Sequence, residues 1–205
     1  MPISDVAAGL ALGASLIVAI GAQNAFLLRQ GLRREHVLPV VVVCAASDVV
    51  LYAAGAAGFG ALAREAPWLI TWVRWVGAVF LVGYGVLALR RALTVGATAL
   101  RAAEPDGVRT AGRTVAIAAA LTWLNPHVYL DTVFLAGSVA ATHGDGRWAF
   151  VLGASVASVV WFTGLGYGAR MLGRLLASPR AWRILDGVIA AVMVAIGVSL
   201  VLQAT

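Results

Sequence analysis

Long apolar runs dominate the chain, and short polar connections separate them. A helix that crosses the hydrocarbon layer of a bilayer, which is roughly 30 Å thick, needs about 20 mainly apolar residues. Tryptophans stand near the ends of several runs, as is typical of membrane interfaces. We therefore predict six transmembrane helices, called spans 1 to 6, at about 5–28, 38–61, 67–89, 114–140, 148–169 and 182–203.

Polar residues interrupt the first and fourth runs. The fourth contains "LTWLNPHVYLD" (121–131), in which Pro126 stands between two polar side chains. Proline removes a backbone hydrogen bond from a helix interior, and the freed groups are tolerated at membrane depth only beside a cavity or a polar partner. The first run contains "GAQNAF" (21–26). The pattern predicts discontinuous helices in spans 1 and 4.

Composition supports this interpretation. The chain has 205 residues, of which 61% are hydrophobic and 12% charged, whereas a soluble domain has about a quarter charged residues. The net charge of +6 comes from arginines that lie mostly in the connections. They form no basic face for nucleic acid. The fold class is therefore an all-α integral membrane protein.

Arginine placement predicts the orientation. Twelve arginines lie in or beside the connections that follow spans 1, 3 and 5, against two in the other connections, Arg64 and Arg147. Positively charged residues are enriched in cytoplasmic loops. We expect both termini to face outward.

The two halves of the chain resemble each other. "SDVVLY" (47–52) matches "ASVVWF" (157–162), and "WVRWVG" (72–77) matches "WRILDG" (182–187), both at an offset of 110. "GAQNAF" pairs with "LNPHVY" (124–129) at an offset of 103. Three spans per half would place the second copy upside down, as in many secondary transporters. We predict a 3+3 inverted repeat: residues 1–89, a cytoplasmic linker at 90–113, and residues 114–205.

Buried polar side chains are the candidates for a site. A carboxylate at the depth of Asp48 costs about 2.5–3.5 kcal/mol on insertion scales and indicates function by default. Asp48 would bind a cationic group or carry a proton; the alternative is a structural ion pair with Arg74. Gln23, Asn24, Asn125 and His127 would line a shared site or, alternatively, hold helices together.

Other polar residues have simpler interpretations. Asp131 follows His127 by one helical turn, so the two form either a proton-carrying pair or a contact that satisfies the broken backbone. Asp186 is expected to form a local surface pair with Arg183. His36 and His143 lie in loops and suggest no specific role. No metal-ligand cluster or phosphate loop is evident, the single Cys44 excludes an intrachain disulfide, and no cofactor is expected.

The motifs "GAQNAFLLRQGLRRE", "CAASDVVLYAAG", "RWVG", "LTWLNPHVYLD" and "GDGRW" resemble the LysE-type exporter family over nearly the whole chain. Relatives that export neutral amino acids usually carry proline-asparagine in span 1 and lysine after the asparagine-proline of span 4. Gln23–Asn24 and His127 therefore favour the basic amino acid branch. Family members commonly have proline where this chain has Ala22, so we expect a softer break in span 1, kinked by Gly21 alone.

The resemblance implies export of L-arginine or L-lysine across the bacterial inner membrane. The matching substrate-binding positions are Gln23, Asn24, Asp48, Asn125, Pro126 and His127; the proton-coupling or gating positions are Asp48, Arg74 and Asp131. Partners would be the amino acid, protons and membrane lipids, with a homodimer possible and no nucleic acid. Proton antiport is the expected mechanism. The alternatives are a neutral amino acid exporter, a channel, or an intramembrane enzyme that uses Asp48, His127 and Asp131.

Overall fold

The computed structural model describes residues 2–18, 21–58, 67–98, 110–172 and 179–202, and their regular secondary structure is helical throughout. The helices are α1 (Pro2–Ile17), α2 (Ala22–Arg33), α3 (Val37–Ala56), α4 (Pro67–Thr98), α5 (Ala111–Trp123), α6 (Pro126–Tyr129), a π-helix (Leu130–Ala136), α7 (Gly137–Thr142), a 3₁₀ turn (Gly144–Gly146), α8 (Arg147–Leu172) and α9 (Pro179–Leu202).

Two described helical segments, Val37–Ala56 and Gly144–Ala169, are long and apolar enough to cross a membrane, and a third span results if α1 and α2 count as one bent span. Large apolar side chains are exposed on α3 and α8, among them Val50 and Val160. Exposed apolar surface of this kind needs an apolar surrounding. The all-helical class and the membrane setting therefore agree with the sequence, while the six-span inverted repeat remains a prediction.

The break in span 1 is complete, so the expected softer kink was wrong. Helix α1 ends at Ile17, α2 begins at Ala22, and the two helices meet at an angle of 81°. Gly21 is the residue before α2 and has an extended backbone, with φ −111° and ψ 174°. The Asn24 side chain donates from Nδ2 to the Ile17 carbonyl oxygen at 2.7 Å. This bond satisfies a carbonyl at the end of α1 and takes the place of a helical bond.

The break in span 4 is a regular helix start rather than a kinked helix interior. Asn125 caps α6 by accepting a hydrogen bond at 3.1 Å from the His127 backbone N–H, and Pro126 occupies the first turn. Asparagine and proline are both favoured at these positions. Seven residues of π-helix follow, from Leu130 to Ala136. Nothing in the sequence pattern predicted this segment.

Two apolar clusters pack around α3 and α8. One joins α2, α3, α4, α5, α8 and α9 through side chains such as Phe26, Leu81 and Phe162. The other joins α3, the π-helix, α7 and α8 through Tyr52, Ala136 and Phe150, with α1 packed against it. Helices α1 and α8 lie side by side, as do α4 and α9.

Gly55 of α3 and Gly137 of α7 permit a close contact between their helices. A Cβ added at Gly137 would lie 2.7 Å from the Gly55 backbone, and one at Gly55 would lie 2.8 Å from the Thr132 carbonyl oxygen. Small residues allow helix backbones to approach in this way in membranes. The contact fixes the π-helix against α3.

Some predicted boundaries differ from those observed. Helix α3 ends at Ala56, short of the predicted residue 61. Helix α4 continues to Thr98, so the first part of the predicted linker at 90–113 is helical. Residues 99–109 of that linker lie outside the described residues. The division of the chain into two halves stays a prediction.

Two polar residues have partners that the sequence did not indicate. Asp186 is buried and faces Arg29 of α2, with 3.5 Å between Arg29 Nη1 and Asp186 Oδ1. The predicted surface pair with Arg183 is therefore wrong, because the Asp186 side chain points inward. His143 also has a specific contact, 2.8 Å from its Nδ1 to Asp5 Oδ1.

Candidate functional site

A cavity of about 280 Å³ lies where the two helix breaks meet. This volume is near the lower end of the range for small-molecule sites, about 300–1,000 Å³. Its described lining comes from both halves of the chain: Leu16, Ile17, Gly21, Ala22, Gln23, Asn24, Asp48, Tyr52, Asn125, His127, Val128, Asp131, Thr132, Phe162 and Ile196. The cavity therefore occupies the gap that the interrupted helices leave open.

The structure brings together six of the eight residues predicted for a site. Gln23, Asn24, Asp48, Asn125, His127 and Asp131 all line the cavity. Pro126 is buried at the start of α6, between two of them. Arg74 belongs to α4, but its side chain lies outside the described part of the structure, so its predicted pairing with Asp48 stays a prediction.

Asp48 is the most buried acidic group in the cavity lining, with 5% of its surface exposed. It lies in the interior of α3, and its Oδ2 accepts a hydrogen bond of 2.5 Å from the Ser158 hydroxyl of α8. The described residues that line the cavity include no arginine or lysine. The cavity therefore presents a carboxylate to a cationic group that enters it.

Two of the amide side chains hold the broken helices in shape. Asn24 donates to the Ile17 carbonyl oxygen and accepts from the Trp161 indole Nε1 at 3.3 Å. Asn125 uses its Oδ1 to cap α6, which leaves its Nδ2 as a donor for a ligand. Both residues satisfy backbone or neighbouring groups and line the cavity at the same time.

Gln23 differs from these two amides. Its Nε2 atom is buried and has no hydrogen-bond partner among the described residues. A buried donor without a partner is unfavourable, and such groups in native structures often mark a place where a ligand or water binds. Gln23 is therefore the amide best suited to contact a ligand directly.

His127 and Asp131 lie on the wall contributed by α6 and the π-helix. Both are partly exposed to the cavity, and Thr132 beside them donates from its hydroxyl to the Val128 carbonyl oxygen at 2.6 Å. This bond satisfies a carbonyl in the region where the helix widens. π-Helical segments occur frequently at functional sites.

Sequence reasoning missed several residues of the site. Ser158 and Trp161 stand in an apolar run and carry no conspicuous signal, but Ser158 aligns with Asp48 in the repeat comparison. Tyr52, Phe162 and Ile196 line the cavity from apolar helices. Their helices were predicted, but which face met the cavity could not be read from nearly uniform apolar runs.

Metal binding finds no support among the described residues, which contain no cluster of three or more histidine, cysteine or acidic side chains suited to an ion. Two carboxylates, three amides and one imidazole suit an organic cation with additional hydrogen-bonding groups. An enzyme using Asp48, His127 and Asp131 would also need these groups to converge, and they do line one cavity. The same cavity geometry would serve a carrier of an organic cation or an enzyme that acts on one.

Comparison with known proteins identifies the family. The family described as LysE type translocator matches residues 14–204. The chain belongs to the LysE family. A chain of Mycobacterium tuberculosis named as amino-acid transporter Rv0488 is 47% identical over 184 residues, which cover 90% of each chain.

Two further relatives of the chain have names that state a substrate. The lysine exporter LysE of Corynebacterium efficiens is 39% identical over 221 residues, covering 95% of this chain and 97% of the relative. The arginine exporter protein ArgO of Klebsiella pneumoniae is 42% identical over 188 residues, covering 90% and 87%. No solved structure matches the chain.

Proposed function

We propose that this LysE-family chain is a secondary active exporter of basic L-amino acids, arginine or lysine or both, across the bacterial inner membrane. The observation that carries the proposal is the cavity at the two helix breaks, where two carboxylates, Asp48 and Asp131, and the unpartnered Gln23 amide face one space. Relatives named as lysine and arginine exporters support the same substrate class.

The architecture that we propose for transport is the 3+3 inverted repeat. Its support is the pattern of helix packing. Exchanging span 1 for span 4, span 2 for span 5 and span 3 for span 6 maps the observed contacts onto one another. Helix α4 packs on α9 and α3 packs on α8; the contact of α1 with α8 has its counterpart in that of α5 with α3, and the contact of α2 with α8 in that of the π-helix with α3. Two structurally related halves would produce this pattern.

The substrate would lie with its charged side chain towards Asp48. Its α-carboxylate would face the start of α2, where backbone N–H groups carry a partial positive charge, and would accept from the Gln23 amide. Asn125 would contribute its Nδ2, while Asn24 and Pro126 would keep the two breaks in place. His127 and Asp131 would carry the coupling proton, and Arg74 would act at a gate.

The proposed orientation makes the cavity face outward. Leu16 precedes the α1–α2 break, Tyr52 follows Asp48, and Asp131 follows His127, so these lining residues lie towards the ends that the arginine distribution places outside. On the other side, Phe26 and Leu27 are almost fully buried, and the Arg29–Asp186 pair joins α2 to α9. Both termini would be outside the cell.

The electrical cost of export favours proton antiport. Moving one positive charge outward against an inside-negative potential costs about 2.3 kcal/mol per 100 mV. Exchange for one incoming proton cancels that cost. The chain contains no nucleotide-binding motif, so it would use an ion gradient rather than bind ATP itself.

The test is efflux from proteoliposomes loaded with labelled arginine, lysine or leucine, with and without an imposed pH gradient. We expect gradient-dependent efflux of arginine or lysine and little efflux of leucine. Efflux of leucine alone would overturn the substrate assignment and favour a neutral amino acid exporter. Flux that ignores the pH gradient and moves no protons would favour a channel. Molar mass measured in detergent would test the proposed homodimer.

A further inference from the structure

Ser158 of α8 contacts the acidic residue at the centre of the proposed site, Asp48 of α3. Its hydroxyl is fully buried and donates to Asp48 Oδ2 at 2.5 Å. A carboxylate has two oxygens and about four lone-pair positions, so this bond leaves acceptor capacity for a ligand. Asp48 is thus held from one side and lines the cavity on another.

The two residues are separated by 110 positions, which is the offset that relates "SDVVLY" to "ASVVWF". In these segments Asp48 and Ser158 occupy the same place in the repeat. Two symmetry-related positions can contact each other only close to the axis that relates them. If the halves form the proposed repeat, the Asp48–Ser158 pair marks its approximate twofold axis.

We infer that Ser158 is a positioning residue that holds the Asp48 carboxylate on this axis, and that the pair forms the cation-binding centre shared by both halves. The inference rests on the proposed function. When inverted repeats exchange conformations, the substrate site stays near the midplane while the halves rock around it. A carboxylate on the axis would therefore face the substrate from either side of the membrane.

Ser158→Ala, with Ser158→Thr and Ser155→Ala as companions, tests the positioning role. Ser155 is buried on the same helix, about one turn away, and does not line the cavity. Hydrogen bonds to charged groups have effects that correspond to a change of about 10-fold or more in affinity. We expect Ser158→Ala to raise the KM for internal arginine by about that factor with a smaller change in maximal rate.

Ser158→Thr should restore the KM because it keeps the hydroxyl, and Ser155→Ala should leave it unchanged. A wild-type KM in Ser158→Ala would overturn the inference, and so would an equal effect of Ser155→Ala. If the wild-type protein moves neither arginine nor lysine, the proposed function itself fails. These results are distinguishable because the wild type is measured first.

An exchange of the two side chains tests the axis. Asp48→Ser alone should lose arginine efflux, and adding Ser158→Asp should restore efflux well above that of the single variant. The carboxylate then enters the same centre from α8. A double variant that folds, as judged by its unfolding temperature, but stays as inactive as Asp48→Ser would contradict the placement on the axis.

Discussion

Asp48 and Asp186 are both buried carboxylates, with 5% and 4% of their surfaces exposed, yet their surroundings differ. Asp186 faces the guanidinium group of Arg29, so its charge is balanced within the protein. Asp48 accepts a hydrogen bond from a neutral hydroxyl and faces a cavity. Two equally buried carboxylates therefore have different roles in this protein. One carboxylate joins two helices, and the other is placed to meet a charge that arrives from outside.

The largest effect that we expect separates the two aspartates by activity. Asp48→Asn keeps the shape and an acceptor for Ser158 but removes the negative charge. Arginine efflux from proteoliposomes should fall by at least about 30-fold, because losing one partner of a buried charge pair costs about 2–5 kcal/mol. The unfolding temperature should change little. Wild-type efflux in this variant would remove Asp48 from the mechanism.

Asp186→Asn should show the opposite pattern, with stability as the main loss. The substitution removes the carboxylate that faces the buried Arg29 guanidinium, and breaking a buried ion pair costs about 3–5 kcal/mol of unfolding free energy. Replacing both partners, with Arg29→Met and Asp186→Leu, should recover most of that loss, since apolar groups of similar size often substitute well for a buried pair. Denaturant unfolding in detergent measures both variants.

The control for this comparison is Asp145→Asn in the exposed 3₁₀ turn, which should stay within about 0.5 kcal/mol of the wild type. If Asp186→Asn is as stable as this control, the Arg29–Asp186 contact contributes nothing to the free energy of unfolding. The contrast with Asp48 would then disappear.

The loss of arginine efflux on replacing Asp131 is expected to lie between those for Asp48 and Asp186. Asp131 is half-buried and lines the same cavity as Asp48. Asp131→Asn should lower proton-driven arginine efflux by about 3- to 10-fold, corresponding to about 0.7–1.4 kcal/mol. Exchange of internal for external arginine should be preserved, because that exchange needs no coupling proton. Equal loss of both activities would make Asp131 a substrate-binding residue instead.

Among the charged contacts, the smallest effect should come from the pair of Asp5 and His143. Their side chains are 17% and 21% exposed, and partly exposed ion pairs contribute about 0–1 kcal/mol. Asp5→Asn should therefore change the unfolding free energy by no more than about 1 kcal/mol. A larger loss, measured by denaturant unfolding, would mean that this contact stabilises the protein about as much as Arg29–Asp186 does.

The sequence identified the carboxylate of the site better than its surroundings. Asp48 stands out because a charge in a long apolar run is costly and has few explanations. Ser158 does not stand out, because serine is common in membrane helices and its importance depends on which face of α8 meets α3. That information comes from packing between helices distant in the chain.

The two helix breaks also differ in how far the sequence could predict them. Pro126 marks the break in span 4, since proline has a fixed local consequence. The break in span 1 has no proline, and its completeness depends on the Asn24 side chain, which reaches the Ile17 carbonyl and is itself held by Trp161. A local pattern cannot show a contact made through a helix that lies 137 residues away.

The single cysteine of the chain has a practical consequence for following transport. Cys44 is completely buried in α3, one turn before Asp48, so water-soluble thiol reagents should reach it poorly. Val128 lines the cavity and its side chain has no proposed role, so Val128→Cys would supply the main reactive thiol without any prior removal of native ones. Its labelling rate from each side of the membrane, with and without arginine, would report directly which side the cavity faces.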